Sequence, residues 1–570
     1  MTSAVKTTAR PSLAQLLLPY WVSQDRYWAW GLLATNLAIN FGSVYVSLAA
    51  MRVVAKTTDA LVARDWPTLW GALGLGLALG GTMVFLAIIN YAVQDYLRIR
   101  WRTWMTHGFI HQWTADQRFY GIERDGLLGN ADQRLAEDID VFVQRALSLS
   151  VGTLTAVVNA FTFGAVLWSL SGTVEFDLAG THYAIPGYLL YAALLYSLLG
   201  MLIAQWMGKP LIALNARKQT VEADFRALGM NLRENAEQIA FYRGGPQEGR
   251  RMMGQFREIQ LNFVALVIRT SKLLVTNVTY FHVGSLVPTV LSMPRYLSGA
   301  ASLGDITQVT ASFERVHSSL NYFISCYVDF SIWLASANRL RDFKAALDKL
   351  QFNRTGIVFK HSSEAVLTAS SLALEAPTGE LLSHVAAIRI EPGQRWLIKG
   401  ASGSGKSTLM RALSGLWPHG NGDITLPGSQ TTTLFVPQKS YIPEGSLKAA
   451  LCYPDAEARF TTEQCSQALL DVGLTERAGS LSVCDDWQKV LSGGEQQRLA
   501  IARVLLQQPQ FVFFDEATSG LDIASEHALY QVVFARLPNS AIISISHNRQ
   551  LDSYYPYQLN LTCARHGVPA

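Results

Sequence analysis

Gly400-Ala-Ser-Gly-Ser-Gly-Lys-Ser407 follows directly after the short β-like run Arg395–Lys399 and comes before a helical pattern. Its spacing matches GxxxxGK[ST] in full. Glycines at these positions let consecutive backbone N–H groups curl around phosphate oxygens, and the next helix points its positive dipole end at them. The stretch therefore predicts a strand, a phosphate-binding loop and a helix, as in an α/β nucleotide-binding domain.

Two side chains of this loop have a predicted chemical role. Lys406 would reach the β- and γ-phosphates of ATP, and Ser407 would coordinate Mg²⁺. The nucleotide-binding residues predicted here are Gly400, Ser402, Gly403, Ser404, Gly405, Lys406, Ser407 and Thr408.

Two carboxylates end an apolar run at Phe511–Phe514. The run predicts a buried strand. Asp515 suits the coordination shell of Mg²⁺, and Glu516 could polarise the water that attacks the γ-phosphate. A hydrophobic run that ends in Asp-Glu is a weak signal alone. Because this run follows a phosphate-binding loop in the sequence, it indicates a Mg²⁺ and catalytic site.

A second predicted anion site is Leu491-Ser-Gly-Gly-Glu-Gln-Gln-Arg498. Ser492 and the two glycines begin the helical stretch Glu495–Leu506, and a helix N-terminus favours negative charge. Ser492, Gly493 and Gly494 are therefore predicted to bind an anion.

Composition points to a membrane. Of the 570 residues, 49% are hydrophobic and only 16% are charged, whereas soluble domains carry roughly 25% charged residues. Long apolar stretches lie at about 28–54, 68–93, 147–170, 186–207, 265–293 and 308–336. The first four are uninterrupted, and each is near the length that crosses a bilayer. Polar residues interrupt the sixth stretch, which suits either a cavity-lining span or a soluble helix. We favour a span, because an even number returns the chain to its starting side.

Basic residues predict the orientation. Lys and Arg cluster between spans two and three and between spans four and five, whereas the loop Ser171–Pro186 has neither. Both basic segments and both termini are thus expected in the cytoplasm, and the chain up to Asp25 shows no removable signal peptide. Polar residues within the spans are expected to face a cavity: Asn36, Asn40, Asn159, His282, Glu314, Arg315, Asn321 and Asp329.

The predicted fold class is a multi-domain membrane protein with a six-helix transmembrane domain and an α/β P-loop domain. Short apolar runs alternate with helical patterns after about Phe352, which predicts a largely parallel sheet. The predicted domains are an N-terminal segment (1–27), a transmembrane domain with two long intracellular loops (28–345), a linker (346–371) and an ATP-binding cassette domain (372–570). The five cysteines have no metal-ligand spacing and are expected to be reduced and structural.

The stretch Leu491–Glu495 resembles the signature motif of the ATP-binding cassette (ABC) superfamily, and other cassette motifs occur in order. Gln438 resembles the Q-loop glutamine that senses Mg²⁺, Ser519–Asp522 the D-loop, and His547 the switch histidine that contacts the γ-phosphate. The resemblance implies a catalytic set of Glu516, His547 and Gln438, with Ser407, Gln438 and Asp515 around Mg²⁺. It also implies a dimer, because each ATP lies between one phosphate loop and the partner's signature helix.

One position departs from the family pattern. The family stacks adenine on an aromatic residue about 25 residues before the phosphate loop, and Leu374–Gly379 contains none. In the membrane half, Asn130–Asp138, Glu234–Arg243 and Gly415–Pro418 resemble peroxisomal subfamily D half-transporters, and more closely the bacterial SbmA/BacA group with a fused cassette. This resemblance implies the exporter (type IV) fold, with coupling helices at the tips of the intracellular loops docking onto the cassettes.

The expected function is ATP-driven transport by a homodimer in the bacterial inner membrane, with ATP and Mg²⁺ as cofactors. The expected cargo is peptides or bulky hydrophilic solutes, cobalamin among them, moved inward. Export of amphipathic compounds or acyl-CoA is the alternative, and an ATP-gated channel or regulator is an alternative of another class. A soluble ABC ATPase acting on DNA or ribosomes would lack the six apolar spans, so no nucleic-acid partner is expected.

Overall fold

The computed structural model describes residues 10–178, 181–352, 356–428, 432–546 and 549–562. The chain divides into two compact units. The first comprises Met1–Gln112 and Asn130–Ala345, and the second comprises Trp113–Gly129 and Ala346–Ala570. The short segment 113–129 therefore belongs with the second unit, although the chain on both sides of it belongs to the first.

Long helices build the first unit. Helix α2 alone has 38 residues, or roughly 57 Å at 1.5 Å per residue, so it is longer than the ~30 Å hydrocarbon core of a bilayer. The helices of residues 10–352 are α1 (Leu13–Trp21), α2 (Arg26–Ala63), α3 (Trp66–Thr114), α4 (Arg118–Arg124), α5 (Ala131–Gln133), α6 (Ile139–Ser171), α7 (Tyr188–Glu234), α8 (Ala236–Phe241), α9 (Gly245–Leu297) and α10 (Leu303–Phe352).

Among the described residues, five helical runs are long and apolar enough to cross a membrane: Arg26–Ala63, Trp66–Arg124, Ala131–Ser171, Tyr188–Glu234 and Gly245–Leu297. Helix α10 has 50 residues, but its polar side chains keep it outside this group. The helical transmembrane domain is thus confirmed, and its sixth span stays a prediction. A hairpin of β1 (Thr173–Leu178) and β2 (Thr181–Pro186) connects α6 to α7, where we had expected a loop.

Close packing fixes helix α7 against helix α9. Tyr196 and Tyr280 stack with ring centroids 4.4 Å apart, and the Tyr280 hydroxyl donates to the backbone carbonyl of Tyr196 at 2.6 Å. A Cβ atom at Gly200 would lie 2.2 Å from that hydroxyl. Glycine at this position therefore permits the approach of the two helices.

The second unit contains two main sheets. A parallel sheet has the order β13-β6-β12-β11-β8 and a mostly antiparallel sheet has the order β3-β7-β4-β5. We predicted the parallel strands and did not foresee the antiparallel sheet as a separate layer. The strands are β3 (Val358–His361), β4 (Leu367–Glu375), β5 (Leu381–Ile390), β6 (Arg395–Gly400), β7 (Gly420–Leu426), β8 (Thr433–Val436), β9 (Gly445–Ser446), β10 (Cys484–Asp485), β11 (Phe511–Asp515), β12 (Ala541–Ile545) and β13 (Tyr557–Leu561).

Strand β11 is buried on both faces, which explains its continuous apolar run. Phe511 and Phe513 pack in the cluster shared with the antiparallel sheet. Val512 and Phe514 pack on the opposite side against the helices. The helices of this unit beyond residue 352 are α11 (Lys406–Leu413), α12 (Leu447–Cys452), α13 (Thr462–Asp471), α14 (Trp487–Val490), α15 (Gly493–Gln507) and α16 (Ile523–Arg536).

Candidate active site

The phosphate loop connects β6 to α11. Gly403 and Gly405 have φ angles of 79° and 86°, in the left-handed region that favours glycine. Gly400 also has a positive φ, and a Cβ atom there would lie 2.5 Å from Oγ of Ser404. Gly405 is the N-cap of α11, so the loop ends where the positive end of the helix dipole begins.

Lys406 is nearly buried, with 7% of its surface exposed. Its ammonium group folds back over the loop and donates to the carbonyls of Gly400 at 2.9 Å and Ala401 at 3.1 Å. The positive charge is therefore held at the centre of the loop, where a phosphate would meet it.

Ser407 and Asp515 are brought together from different elements. The Ser407 hydroxyl, in the first turn of α11, donates to Oδ1 of Asp515 at 3.1 Å. Burial raises the pKa of Asp515, and the neighbouring Glu516 carboxylate raises it too, while the Ser407 hydrogen bond acts in the opposite direction. Two hard oxygen ligands thus lie side by side, as a Mg²⁺ site requires.

Glu516 and Gln438 form a second pair. The Gln438 amide donates from Nε2 to Oε2 of Glu516 at 3.1 Å. Glu516 has a φ of 50°, and its N–H donates to the carbonyl of Ile545 on β12 at 3.1 Å. A left-handed glutamate is costly and persists only when its surroundings enforce it, as is common at active sites.

Ser492 begins helix α15 in a capping box. Its hydroxyl accepts from the N–H of Glu495, and its own N–H donates to the Glu495 carboxylate at 2.9 Å. The hydrogen bond from the Ser492 backbone lowers the pKa of Glu495, with a further contribution from Arg477. Gly493 and Gly494 form the first turn of the helix, so their backbone lies at its positive end.

A hydrogen bond joins the predicted D-loop, Ser519–Asp522, to helix α15. Oε1 of Gln497, on α15, accepts from the N–H of Gly520 at 2.9 Å. Asp522 then caps α16 by accepting from the N–H of Ser525 at 3.0 Å. A displacement of either element would therefore shift the other or break this hydrogen bond.

These residues fit ATP and Mg²⁺. The Ser404 hydroxyl is buried and has no hydrogen-bond partner among the described residues, so an anion in the loop would satisfy it. Lys406 supplies a positive charge, and Ser407 with Asp515 supplies oxygen ligands. Ser402 and Gly403 lie in the loop and Thr408 lies in α11, whereas His547 lies outside the described residues.

Two residues of the second unit escaped the sequence analysis. Ser383 of β5 lies against the loop, with its Oγ 3.1 Å from where a Cβ atom of Gly405 would be. Arg503 of α15 is buried and donates to the carbonyls of Ala450 and Tyr441, both at 2.8 Å. Burial lowers the pKa of Arg503 to about 10. Arg503 stands on the apolar face of an amphipathic helix, and this position could have indicated a buried arginine.

The segment 113–129 contacts the cassette within the second unit. Arg124 donates to the carbonyl of Leu416 at 2.6 Å and also pairs with Asp125. Gly121 packs against Leu350. Leu416 belongs to the stretch Gly415–Pro418 that the sequence had singled out, so this stretch contacts helix α4.

Comparisons with known proteins identify the family of this chain. Residues 13–297 match the ABC transporter transmembrane region 2 family, and residues 384–519 match the ABC transporter family. An uncharacterized ABC transporter ATP-binding protein of Haemophilus influenzae is 33% identical, over 86% of this chain and 82% of that protein. The inner membrane ABC transporter ATP-binding protein YddA of Escherichia coli is 30% identical, over 93% and 94%.

A plant transporter and a solved exporter structure are also similar to this chain. The chloroplastic ABC transporter D family member 2 of Arabidopsis thaliana is 29% identical, over 96% of this chain and 85% of that protein. A bacterial Atm1-family ABC exporter with ATP bound has a similar fold, with a TM-score of 0.72 and 17% identity over 95% of this chain and 94% of that one. The chain therefore belongs to the ABC transporter family, with a transmembrane region fused to an ATP-binding domain that is an ATPase coupled to transport.

Proposed function

We propose that the chain works as a homodimer in the bacterial inner membrane and uses ATP to move peptides or bulky hydrophilic solutes, such as cobalamin, into the cell. The observation that carries the cargo class is that two cavities among the membrane helices contain polar side chains, although aromatic side chains also line the larger of the two. One measures about 410 Å³ and includes Asn40 and Asn159, and the other measures about 540 Å³ and includes Glu314 and Arg315. A hydrophilic solute satisfies such groups, whereas a lipid tail leaves them without partners.

The catalytic residues have separate roles in this proposal. Bound Mg-ATP supplies the phosphoanhydride whose hydrolysis drives transport. Lys406 binds the phosphates, Ser407 and Asp515 hold Mg²⁺, and Glu516 accepts the proton of the attacking water. Gln438 orients Glu516 through the 3.1 Å hydrogen bond.

Two observations support a homodimer. Within the described residues, no hydrogen bond joins the phosphate loop to Ser492, so one chain leaves the two halves of the expected site apart. The tip of the second intracellular loop also exposes Phe241 and Tyr242, with 79% and 87% of their surfaces accessible. A second copy would complete the nucleotide site and cover these aromatic side chains.

Complementation tests the dimer. Lys406→Ala removes the loop cation, and Ser492→Arg blocks the signature helix, so each variant alone should lack ATPase activity. A mixture of the two forms heterodimers in which one site has an intact loop and an intact signature helix. Recovery of about a quarter of wild-type activity is expected for random pairing with independent sites. If each site were built within one chain, mixing would restore nothing.

Orientation in the membrane rests on the charge distribution. Arginine and lysine cluster in the segments 98–145 and 209–251 and are absent from 171–186. The positive-inside rule then puts these segments, both termini and the ATP-binding domain in the cytoplasm.

Export of an amphipathic or acyl-CoA compound is the second candidate, favoured by the likeness to an exporter structure. Proteoliposomes with the cassette facing outward separate the two directions. Under the uptake proposal, external ATP drives loss of a lumenal peptide or of cobalamin. Under export, external ATP drives accumulation of acyl-CoA in the lumen. Solute flux that persists in Glu516→Gln would instead indicate an ATP-gated channel.

A further inference from the structure

The membrane unit contains a cluster of side-chain amides that is only partly satisfied. Asn36 and Asn40 both donate to Oδ1 of Asn90, at 3.0 and 3.1 Å, so the cluster joins α2 to α3. No hydrogen bond within the described chain uses Nδ2 of Asn90. Asn90 also lines the 410 Å³ cavity, where its Nδ2 is available to donate to a ligand.

Two further amides line the same cavity from other helices. Gln94 of α3 and Asn159 of α6 are half-buried and have no side-chain hydrogen bond among the described residues. An amide within membrane helices is costly without a partner. Both side chains therefore require water or a ligand in this cavity.

Three serine hydroxyl groups that line the cavity are already used as donors. Ser148 donates to the carbonyl of Arg145 at 3.2 Å, and Ser318 and Ser319 donate to the carbonyl of Arg315 at 3.0 and 2.7 Å. Their oxygen lone pairs remain free to accept. The cavity thus offers amide N–H donors and hydroxyl or amide acceptors, and none of its lining residues carries a formal charge at neutral pH.

The 540 Å³ cavity has a different character. Glu314 and Arg315, adjacent on α10, both line it, and neither forms an ion pair with a described residue. Charges of both signs within a membrane unit are expensive and mark functional positions. Ser318 lines both cavities, so the uncharged and the charged parts adjoin on one face of α10.

We propose that the two cavities form one divided substrate site, in which the amide-lined part hydrogen-bonds the backbone amides of a peptide while Glu314 and Arg315 pair with its charged ends. This inference rests on the proposed function and deepens it. The side-chain amide of Asn or Gln can donate to a backbone carbonyl and accept from a backbone N–H. Adjacent residues of opposite charge can pair with the ammonium and the carboxylate of a peptide. The specificity would therefore be for zwitterionic peptide-like chains rather than for polar solutes in general.

Equilibrium binding to the purified full-length protein, without ATP, tests the site. Trialanine is compared with its backbone N-methylated form and with N-acetyl-trialanine amide, which lacks both charges. Each N-methylated amide should weaken binding about fivefold, the effect of one hydrogen bond, and capping both ends should weaken it at least tenfold. Equal affinity for the three compounds, or competition by raffinose as strong as that by trialanine, would overturn the proposal.

Variants assign the two effects to the two parts. In Asn159→Leu and Gln94→Met the penalty for N-methylation should shrink, and in a Glu314→Gln, Arg315→Gln double variant the penalty for capping should disappear. Thr82→Val is the matched control, because this exposed α3 hydroxyl bonds only the carbonyl of Ala78, and it should keep the wild-type ranking. Penalties unchanged in the cavity variants would contradict the assignment.

ATP-driven flux in proteoliposomes separates this inference from the proposed function. Amide- and charge-dependent binding without ATP-driven movement of any peptide would refute peptide transport and leave the binding site intact. Transport that does not distinguish the three peptides would support peptide transport and refute the divided site.

Discussion

Nε2 of His419 lies 3.2 Å from the Asp125 carboxylate, and this contact joins the end of helix α4 to the ATP-binding domain. Burial raises the pKa of Asp125, but the hydrogen bonds and charges of Arg124 and His419 outweigh it, so the pKa lies below its usual range. The carboxylate therefore stays ionised at neutral pH. Trp417 packs edge-on against the His419 ring, with centroids 5.2 Å apart, and keeps the ring in place.

Asp125→Asn should weaken the coupling between cargo and ATP hydrolysis. The substitution keeps the shape of the side chain and removes its charge, so the contacts with Arg124 and His419 weaken. We expect stimulation of ATP hydrolysis by the transported solute to fall about fivefold, with basal hydrolysis retained. Asp116→Asn, an exposed neighbour in the same segment, is the control. Equal stimulation in Asp125→Asn and wild type would exclude a coupling role.

Glu516→Gln should permit ATP binding and nearly abolish turnover. The amide cannot accept the proton of the attacking water, and loss of general-base catalysis costs about 10²- to 10⁴-fold. Phosphate release and ATP binding are measured on the same sample. Hydrolysis at the wild-type rate would refute the assigned role.

Lys406→Ala should weaken nucleotide binding itself. A charged hydrogen bond contributes about 1.5–3 kcal/mol, so the Kd for ATP should rise at least tenfold in equilibrium binding. Lys399→Ala is a matched control, since that lysine pairs with Asp552 at 2.6 Å and should be dispensable for ATP. Full affinity in Lys406→Ala would count against the phosphate loop.

ATP affinity in the presence of Mg²⁺ should fall on acidification. The pKa of Asp515 is raised by burial, so its carboxylate is lost at a higher pH than the ~3.9 of an ordinary aspartate. The raised pKa affects folding stability in the opposite direction to ATP affinity. The folded state binds the Asp515 proton more tightly than the unfolded state does, so the contribution of Asp515 to stability increases as pH falls. Titration of Mg-ATP affinity against pH checks the first effect. Asp515→Asn should remove this part of the pH dependence, and an unchanged profile would contradict the assignment.

Asp138→Asn should destabilise the first unit. Asp138 is 3% exposed and is the last residue of the π-helical turn Arg134–Asp138. Its carboxylate accepts hydrogen bonds from Arg339 at 2.9 Å and from Arg134 at 3.0 Å. Breaking a buried ion pair costs about 3 kcal/mol. The melting temperature in detergent should drop accordingly, whereas Glu137→Gln, on the exposed side of the same turn, should change it little.

Much of the site was predictable because its motifs are local. The loop Gly400–Ser407, the strand that ends at Asp515 and the helix that begins at Ser492 each depend on residues close together in sequence. The antiparallel sheet was harder to foresee, because its strands β4 and β5 are exposed on part of one face and read less clearly than a fully buried strand. The role of Arg503 was also hard to foresee, because its partners Ala450 and Tyr441 lie far away along the chain.

The amino-acid sequence by itself determined the strand–loop–helix at Lys406 and the apolar spans, since glycine spacing and hydrophobic runs are properties of neighbouring residues. Only the tertiary structure decided that Ser407 meets Asp515, that Asp125 meets His419 and that Ser383 lies against Gly405. Those contacts depend on strand order and on how distant segments pack. A pattern of neighbouring residues specifies neither the strand order nor the packing.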